Sequence, residues 1–287
     1  MFLRATHLTR YTYSQPVGFA PHALYLRPRE TPRQRLHNYA LTVSPTAKII
    51  PTCDASENNL DWAYHTPGTL ASILEIRTEF LVETLDTNPF DFFLAPEATS
   101  YPFPYSSAER YILAPELTPP HPGTTSALVA WLAQHLPTLP SDTLALLSAL
   151  NAAVRHSLRY THRDEPGIQS ATDTLAFGSG SCRDYAVLFI ELCRHLGLAA
   201  RFVSGYLYEA PPTDGSPGFP PAMHAWAEVF LPGAGWRGLD PTRGIFCDDA
   251  FVPVAHSALA ETVNPVQGAF YGQATSTLHN ELTLEKL

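Results

Sequence analysis

A cysteine, a histidine and an aspartate occur in the order Cys182, His224 and Asp240, the residue types of a nucleophile, its base and the group that orients the base. Cys182 lies in Gly178-Ser-Gly-Ser-Cys182-Arg-Asp-Tyr, ahead of apolar residues at Ala186, Val187, Ile190, Cys193 and Leu196. That spacing predicts a helix with one buried stripe, and Gly197 follows it as a left-handed cap would. Cys182 then falls in or near the first turn. Unpaired N–H groups and the positive end of the helix dipole favour a thiolate there, and the same N–H groups can hold an oxyanion. Taken alone, a glycine-flanked cysteine also fits a structural thiol.

The two partners must be delivered by strands. Residues 224–231 and 236–240 read as a hairpin around Leu231-Pro-Gly-Ala-Gly235. A register that sets His224 opposite Asp240 also sets Trp226 opposite Gly238 and Glu228 opposite Trp236. Opposed residues have Cβ atoms about 4.5–5.5 Å apart, close enough for the Asp240 carboxylate to accept Nδ1–H of the imidazole. Nε2 would then face the thiol.

These residues resemble the transglutaminase-like superfamily, with its papain-type Cys-His-Asp arrangement. The matching segments are Gly-Ser-Gly-Ser-Cys182-Arg-Asp-Tyr-Ala, Leu-Gly-Leu-Ala-Ala-Arg201-Phe-Val-Ser-Gly-Tyr206, His224-Ala-Trp-Ala-Glu228 and Gly-Trp-Arg-Gly-Leu-Asp240-Pro-Thr. The front of the chain, at His7-Leu-Thr-Arg-Tyr-Thr-Tyr-Ser-Gln-Pro-Val17 and Leu26-Arg-Pro-Arg29, is similar to the β-rich N-terminal module of bacterial members. Two departures stand out. Where that module carries an Asp-x-x-Gly-Asn turn, this chain reads Asp54-Ala-Ser-Glu-Asn-Asn59. Where relatives place a His and a Gly-Arg-Asp segment, it reads Asp248-Asp-Ala-Phe-Val-Pro-Val-Ala-His256.

The 287 residues suit one large domain or two ordinary ones, and 45% hydrophobic with 16% charged residues fits a globular core. A formal net charge of −9 argues against nucleic acid as the main partner. Cys53, Cys182, Cys193 and Cys247 are scattered, which suits neither a zinc site nor a disulfide framework, and no cofactor is expected. The start lacks an apolar signal core and no apolar run is long enough to span a membrane. These features predict a cytoplasmic protein with reduced thiols and no membrane partner.

Along the chain, residues 1–95 read as a β-rich module of several short strands and suggest a sandwich. Residues 96–122, rich in proline, read as an extended surface linker in which Tyr101, Phe103 and Tyr105 pack against a domain or line a groove. Helices are predicted at 124–136 and 142–158, the second capped by Ser141, with Trp131 in the core. A polar loop at 159–167 brings His162 and Arg163 within possible reach of a substrate. A strand at 200–208 is interrupted by Gly205, and a loop at 209–221 borders the site or is a solvated connector. Thr277–Leu284 can close a sheet. Residues 123–287 form the expected catalytic core.

The fold expected is α+β: an all-β sandwich-like N-terminal module, then a transglutaminase-like, papain-type core with the cysteine-bearing helix packed on an antiparallel sheet. Trp226, Asp184 and Ser181 are candidates to line the site. Trp226 could instead be core, and Asp184 could complement the helix dipole or make a structural hydrogen bond. The resemblance implies a thiol-dependent amide or peptide hydrolase or acyl transferase, acting on a protein or peptide amide with water or an amine as acceptor. The absence of an EF-hand-like run disfavours a calcium-activated crosslinker. The alternative is a catalytically silent peptide- or protein-binding module on the same fold.

Overall fold

A computed structural model describes residues 1–118, 124–163, 167–210 and 221–287. The chain opens with β1 (Phe2–Phe19), β2 (His22–Leu24), β3 (Gln34–Ser44), β4 (Ala47–Cys53), β5 (Asn59–His65) and β6 (Ala71–Thr84). Buried residues alternate along β1 and β6, as a strand with one covered face requires. The far half of that face meets the sheet of β2, β4 and β5. Tyr13, Val17, Leu24, Leu26, Val43, Ala63, Leu74 and Ile76 form the interior of this sandwich. The near half, with Leu3, Ala5, Phe80 and Val82, joins the larger core built around the helices.

Next come α1 (Ser107–Ile112), α2 (Ala114–Leu117), α3 (Thr125–His135), α4 (Thr143–Ser157), β7 (Arg159–Tyr160), α5 (Ala171–Phe177), β8 (Ser179–Gly180) and α6 (Cys182–His195). The sheet of the C-terminal half follows as β9 (Ala200–Leu207), β10 (Met223–Leu231), β11 (Gly235–Asp240), β12 (Ile245–Phe246) and β13 (Phe251–Ser257). Its antiparallel order is β12-β11-β10-β9-β13. The α6 helix packs on β9 and β10, with Tyr185, Ala186, Leu188, Phe189, Leu192 and Cys193 at most 2% exposed. Among the described residues, no helix is long and apolar enough to cross a membrane.

Three expectations need correction. The proline-rich stretch is not an extended linker over its described part. Ser106 caps α1 in a reciprocal box with Glu109, and Pro115 sits in the first turn of α2, where its missing N–H costs no helical bond. The Tyr105 hydroxyl donates to the Phe230 carbonyl and accepts from the Ala199 N–H, so the segment is fastened to the C-terminal half. Pro119, Pro120 and Pro122 lie outside the described residues, as does most of the 209–221 loop.

Second, the division at residue 123 fails at the far end of the chain. The strands β14 (Val266–Gln267), β15 (Phe270–Tyr271) and β16 (Ser276–Lys286) return to the N-terminal module. There β14 pairs with β2, and β15 and β16 pair with β1, from Leu3 against Lys286 to Tyr13 against Ser276 for β16. Third, the cap of α4 is Asp142, which accepts from the Ala145 N–H, rather than Ser141.

The Asp54–Asn58 turn forms without its glycine. Asp54 accepts from the backbone of Ser56 and Asn58, and Glu57 takes the left-handed conformation at φ 60°. Asn58, wholly buried, exchanges hydrogen bonds with the backbone of His256 on β13 and ties the sandwich to the β9–β13 sheet.

Candidate active site

Cys182 is the first residue of α6, preceded by Ser181 as N-cap. The wholly buried Asp184 fixes this corner. Its Oδ2 accepts from the Ser181 N–H at 2.7 Å, the Ser181 hydroxyl at 2.9 Å and Arg163 at 2.7 Å, while Oδ1 accepts from the Gln169 N–H at 2.8 Å. Burial acts to raise the Asp184 carboxyl, but these donors win and hold it below the ordinary carboxylate range. Asp184 thus clamps Arg163 and the Gln169 backbone to the start of α6. Arg163 belongs to that clamp, and Ser181 lies within it rather than facing a substrate. A side chain at Gly180 would meet the Asp184 Cβ at 2.7 Å, so glycine is required for the approach.

His224 projects from β10 and Asp240 from the end of β11. The hairpin register pairs Glu228 with Gly238, Phe230 with Trp236 and Leu231 with Gly235, two residues from the expected one. The turn is centred on Gly233, at φ 85°, not on Pro232. Because side chains alternate with period two, the shift leaves His224 and Asp240 on one face but displaced along it. The Asp240 carboxylate therefore reaches Nε2 of His224, at 2.8 Å, rather than Nδ1. The ring also hydrogen-bonds with the Cys182 thiol, which leaves Nδ1 for the sulfur.

Asp240 is wholly buried, and Thr242 saturates its other oxygen through N–H at 2.8 Å and the hydroxyl at 2.7 Å. Arg243 lies 3.6 Å from the carboxylate and also pairs with Glu209. Burial alone would pull the His224 imidazole down; its hydrogen bonds to Asp240 and Cys182, and the charges on both, push it up to about 10.

Trp226 is buried and stacks on His224 at an interplanar angle of 26°. Its ring fits between glycines: a Cβ on Gly205 would lie 2.6 Å from the indole, and one on Gly238 would lie 3.4 Å from its Nε1. Gly205 thus interrupts the strand to admit this ring and the Val252 carbonyl, which a Cβ would meet at 2.2 Å. Trp226 is core packing that backs the histidine. Glu228 pairs with Arg201, whose guanidinium lies 3.9 Å over the Trp236 ring. Burial pushes the Cys193 and Cys247 thiols up; Cys53 is exposed.

Thr242 was signalled by the Asp-Pro-Thr sequence but not singled out. Tyr160 was read as part of a polar loop, yet the pairing of β7 with β8 sets it beside Gly180, two residues from Cys182. Nothing local in the sequence announces that two-residue parallel pairing. Among the described residues, no group of three or more His, Cys, Asp or Glu side chains is placed to hold a metal ion.

The profile of the transglutaminase-like superfamily matches residues 131–241, and that of the bacterial transglutaminase-like N-terminal region matches residues 3–83. The uncharacterized protein Rv2569c of Mycobacterium tuberculosis is 28% identical over 288 residues, covering 96% of this chain and 89% of its own. The uncharacterized protein ML0607 of Mycobacterium leprae is 25% identical over 293 residues, covering 99% of both chains. A crystal structure of a candidate cysteine protease from Cytophaga hutchinsonii superposes with a TM-score of 0.74 at 21% identity, covering 100% of this chain and 91% of the other. That likeness of fold extends to the sandwich as well as the C-terminal half. The chain thus joins a region matching the transglutaminase-like superfamily, residues 131–241, to one matching the bacterial transglutaminase-like N-terminal region, residues 3–83.

Proposed function

We propose that the protein is a cysteine amidase or peptidase that works through an acyl-enzyme on Cys182. The observation that carries this reading is the continuous contact from the Cys182 thiol through the His224 ring to the buried Asp240 carboxylate. A histidine held protonated at neutral pH beside a thiol at a helix N-terminus makes a thiolate–imidazolium pair. The thiolate attacks the amide carbonyl, a C–S bond forms, and the carbonyl electron pair moves onto oxygen. Collapse breaks the C–N bond as imidazolium delivers its proton to the leaving amine. Water then attacks the thioester with imidazole as base, or an amine does so and the net reaction is acyl transfer. Asp240 fixes the ring and stabilises its charged form. The Cys182 N–H, on the first helical residue, is available to the oxyanion.

The test is the pH dependence of Cys182 alkylation by iodoacetamide, with Cys182→Ala as the blank, which reports the exposed Cys53. Rapid labelling well below pH ~8.5, the ordinary thiol value, should be lost in His224→Ala. Ordinary thiol behaviour that is indifferent to His224 would point to a silent binding module. Cleavage of amide substrates with and without an added amine then distinguishes hydrolysis from transfer.

A further inference from the structure

The sandwich sheet that holds β1 ends in β16, an eleven-residue strand that pairs along one side only among the described residues. Its register with β1 runs unbroken from Leu3 against Lys286 to Tyr13 against Ser276, without a proline or a bulge. The other long edges are broken. A register shift at His37 interrupts β3, Pro51 interrupts β4, and β13 carries both Pro253 and a register shift. Prolines and bulges keep foreign strands from adding to a sheet, and β16 has neither. The Leu287 N–H bonds to the Phe2 carbonyl, and the Ser14 N–H to the Thr275 carbonyl. Odd-numbered residues of β16 therefore turn their backbone groups to β1, and the N–H and C=O groups of Leu278, Asn280, Leu282 and Leu284 point away from it. The side chains of these four share the inner face, where Leu284 is buried, Leu282 packs at the margin of the core and Leu278 is 51% exposed. Residues 276–281 are exposed on both faces, so no described element overhangs this edge.

We propose that β16 pairs antiparallel with β16 of a second copy of this chain, about a two-fold axis at Asn280, so that the two five-stranded sheets join edge to edge. In this register the strand is complementary to its own reverse. Leu278 faces Leu282 of the other copy, His279 faces its Glu281 and Thr277 faces its Thr283, each pair occurring twice. The outward backbone groups of Leu278, Asn280 and Leu282 meet as hydrogen-bonded pairs. The exposed Leu278 gains an apolar neighbour on the inner face. On the outer face, His279 already bonds to Glu281 of its own strand at 2.8 Å, and in the dimer two histidines and two glutamates alternate around the axis. A shift of two residues one way sets Glu281 against Glu281, and the other way sets His279 against His279. Like groups opposed are unfavourable, so the Asn280-centred register is the one of the three that opposes acid to base. That self-complementarity selects a second copy as the occupant of the edge.

The test is sedimentation velocity of the full chain over about 1–100 μM, the range in which a small edge contact associates. A reversible dimer is expected. Asn280→Pro removes an N–H that faces away from β1 and sets a ring on the free edge, so the ladder to β1 survives and the dimer is lost. An unchanged urea midpoint in dilute solution shows that this variant folds. Two charge variants test the register without touching the backbone. His279→Glu opposes carboxylate to carboxylate at both pairs and should raise the dissociation constant about tenfold. His279→Glu combined with Glu281→His exchanges the two sides and should restore it. A monomer throughout the range would overturn the proposal and leave the edge to a partner of another kind. A dimer that persists in folded Asn280→Pro would overturn it too, because association would then run through another surface. So would a dissociation constant indifferent to His279→Glu, or a loss that the charge exchange does not restore, because the register would then be a different one.

Discussion

Replacing Asp240 with asparagine tests the arrangement at its most buried point. Asparagine retains the size of the side chain, and its oxygen can still accept from the Thr242 N–H and hydroxyl. Its amide nitrogen, however, would oppose the Nε2–H of His224. The ring must then give up that proton and place hydrogen on Nδ1, facing the sulfur as a donor with no base to offer. A wrong tautomer of this kind costs about 10⁴-fold in turnover in a related triad geometry. A thermodynamic signature should accompany the loss. The imidazole rises from 6.5 to about 10 on folding, which at about 1.4 kcal/mol per pH unit corresponds to a contribution on the order of 4–5 kcal/mol. Cys182 shares in that coupling, so only part of it is due to Asp240. Because the pKa of the folded state is the higher one, the contribution is complete below 6.5 and fades as pH rises towards 10. Urea unfolding of wild type and Asp240→Asn across that range should give a stability difference that shrinks with increasing pH. A difference that stays constant or grows, or a variant that retains rapid alkylation in mild acid, would refute the reasoning.

Gly180→Ala should destabilise the protein by about 1–3 kcal/mol and slow Cys182 alkylation, since the new methyl meets the Asp184 Cβ at 2.7 Å; urea midpoints and labelling rates report both. Glu57→Gly should raise the melting temperature by about 2 °C, equivalent to ~1 kcal/mol, because it relieves a left-handed residue at φ 60°. Asp184→Ala should cost about 3–5 kcal/mol by leaving Arg163 and the Ser181 and Gln169 N–H groups without their acceptor. Since the Asp184 carboxyl is depressed on folding, its contribution is present above the ordinary aspartate pKa and is lost as pH falls through the folded value. Acid-unfolding curves of Asp184→Asn should therefore be flatter than wild type at the acidic end.

The sequence carried the site at the level of residue type and order. Cys182 could be placed at a helix start because the apolar stripe and Gly197 bound α6 on both sides, and the helix runs Cys182–His195. The face shared by His224, Trp226 and Asp240 was also legible, since an error of two residues in register preserves it. The ring nitrogen chosen by Asp240 was not, because it depends on displacement along the strands, and the turn could sit on either Pro232 or Gly233. The proline-rich stretch was misread by weighting prolines above the Ser106-x-x-Glu109 capping box, a local helix signal that was available. The destination of β16 had no local signal. Its alternation predicts a strand but does not say which of two distant sheets will receive it.

That strand gives the protein an unusual dependence between its parts. Since β1 lies between β6 and β16, the sandwich sheet is completed only after the β9–β13 half has been made. That half is thus an insertion into the module rather than its successor. A ribosome must release nearly all of the chain before β1 finds its second neighbour, so the first sheet waits with an open edge during synthesis. Residues 1–95 expressed alone would keep that edge permanently, and residues 123–287 alone would carry an orphaned strand. Dissecting the two halves calls for circular permutation through the adjacent ends of β1 and β16 rather than for truncation.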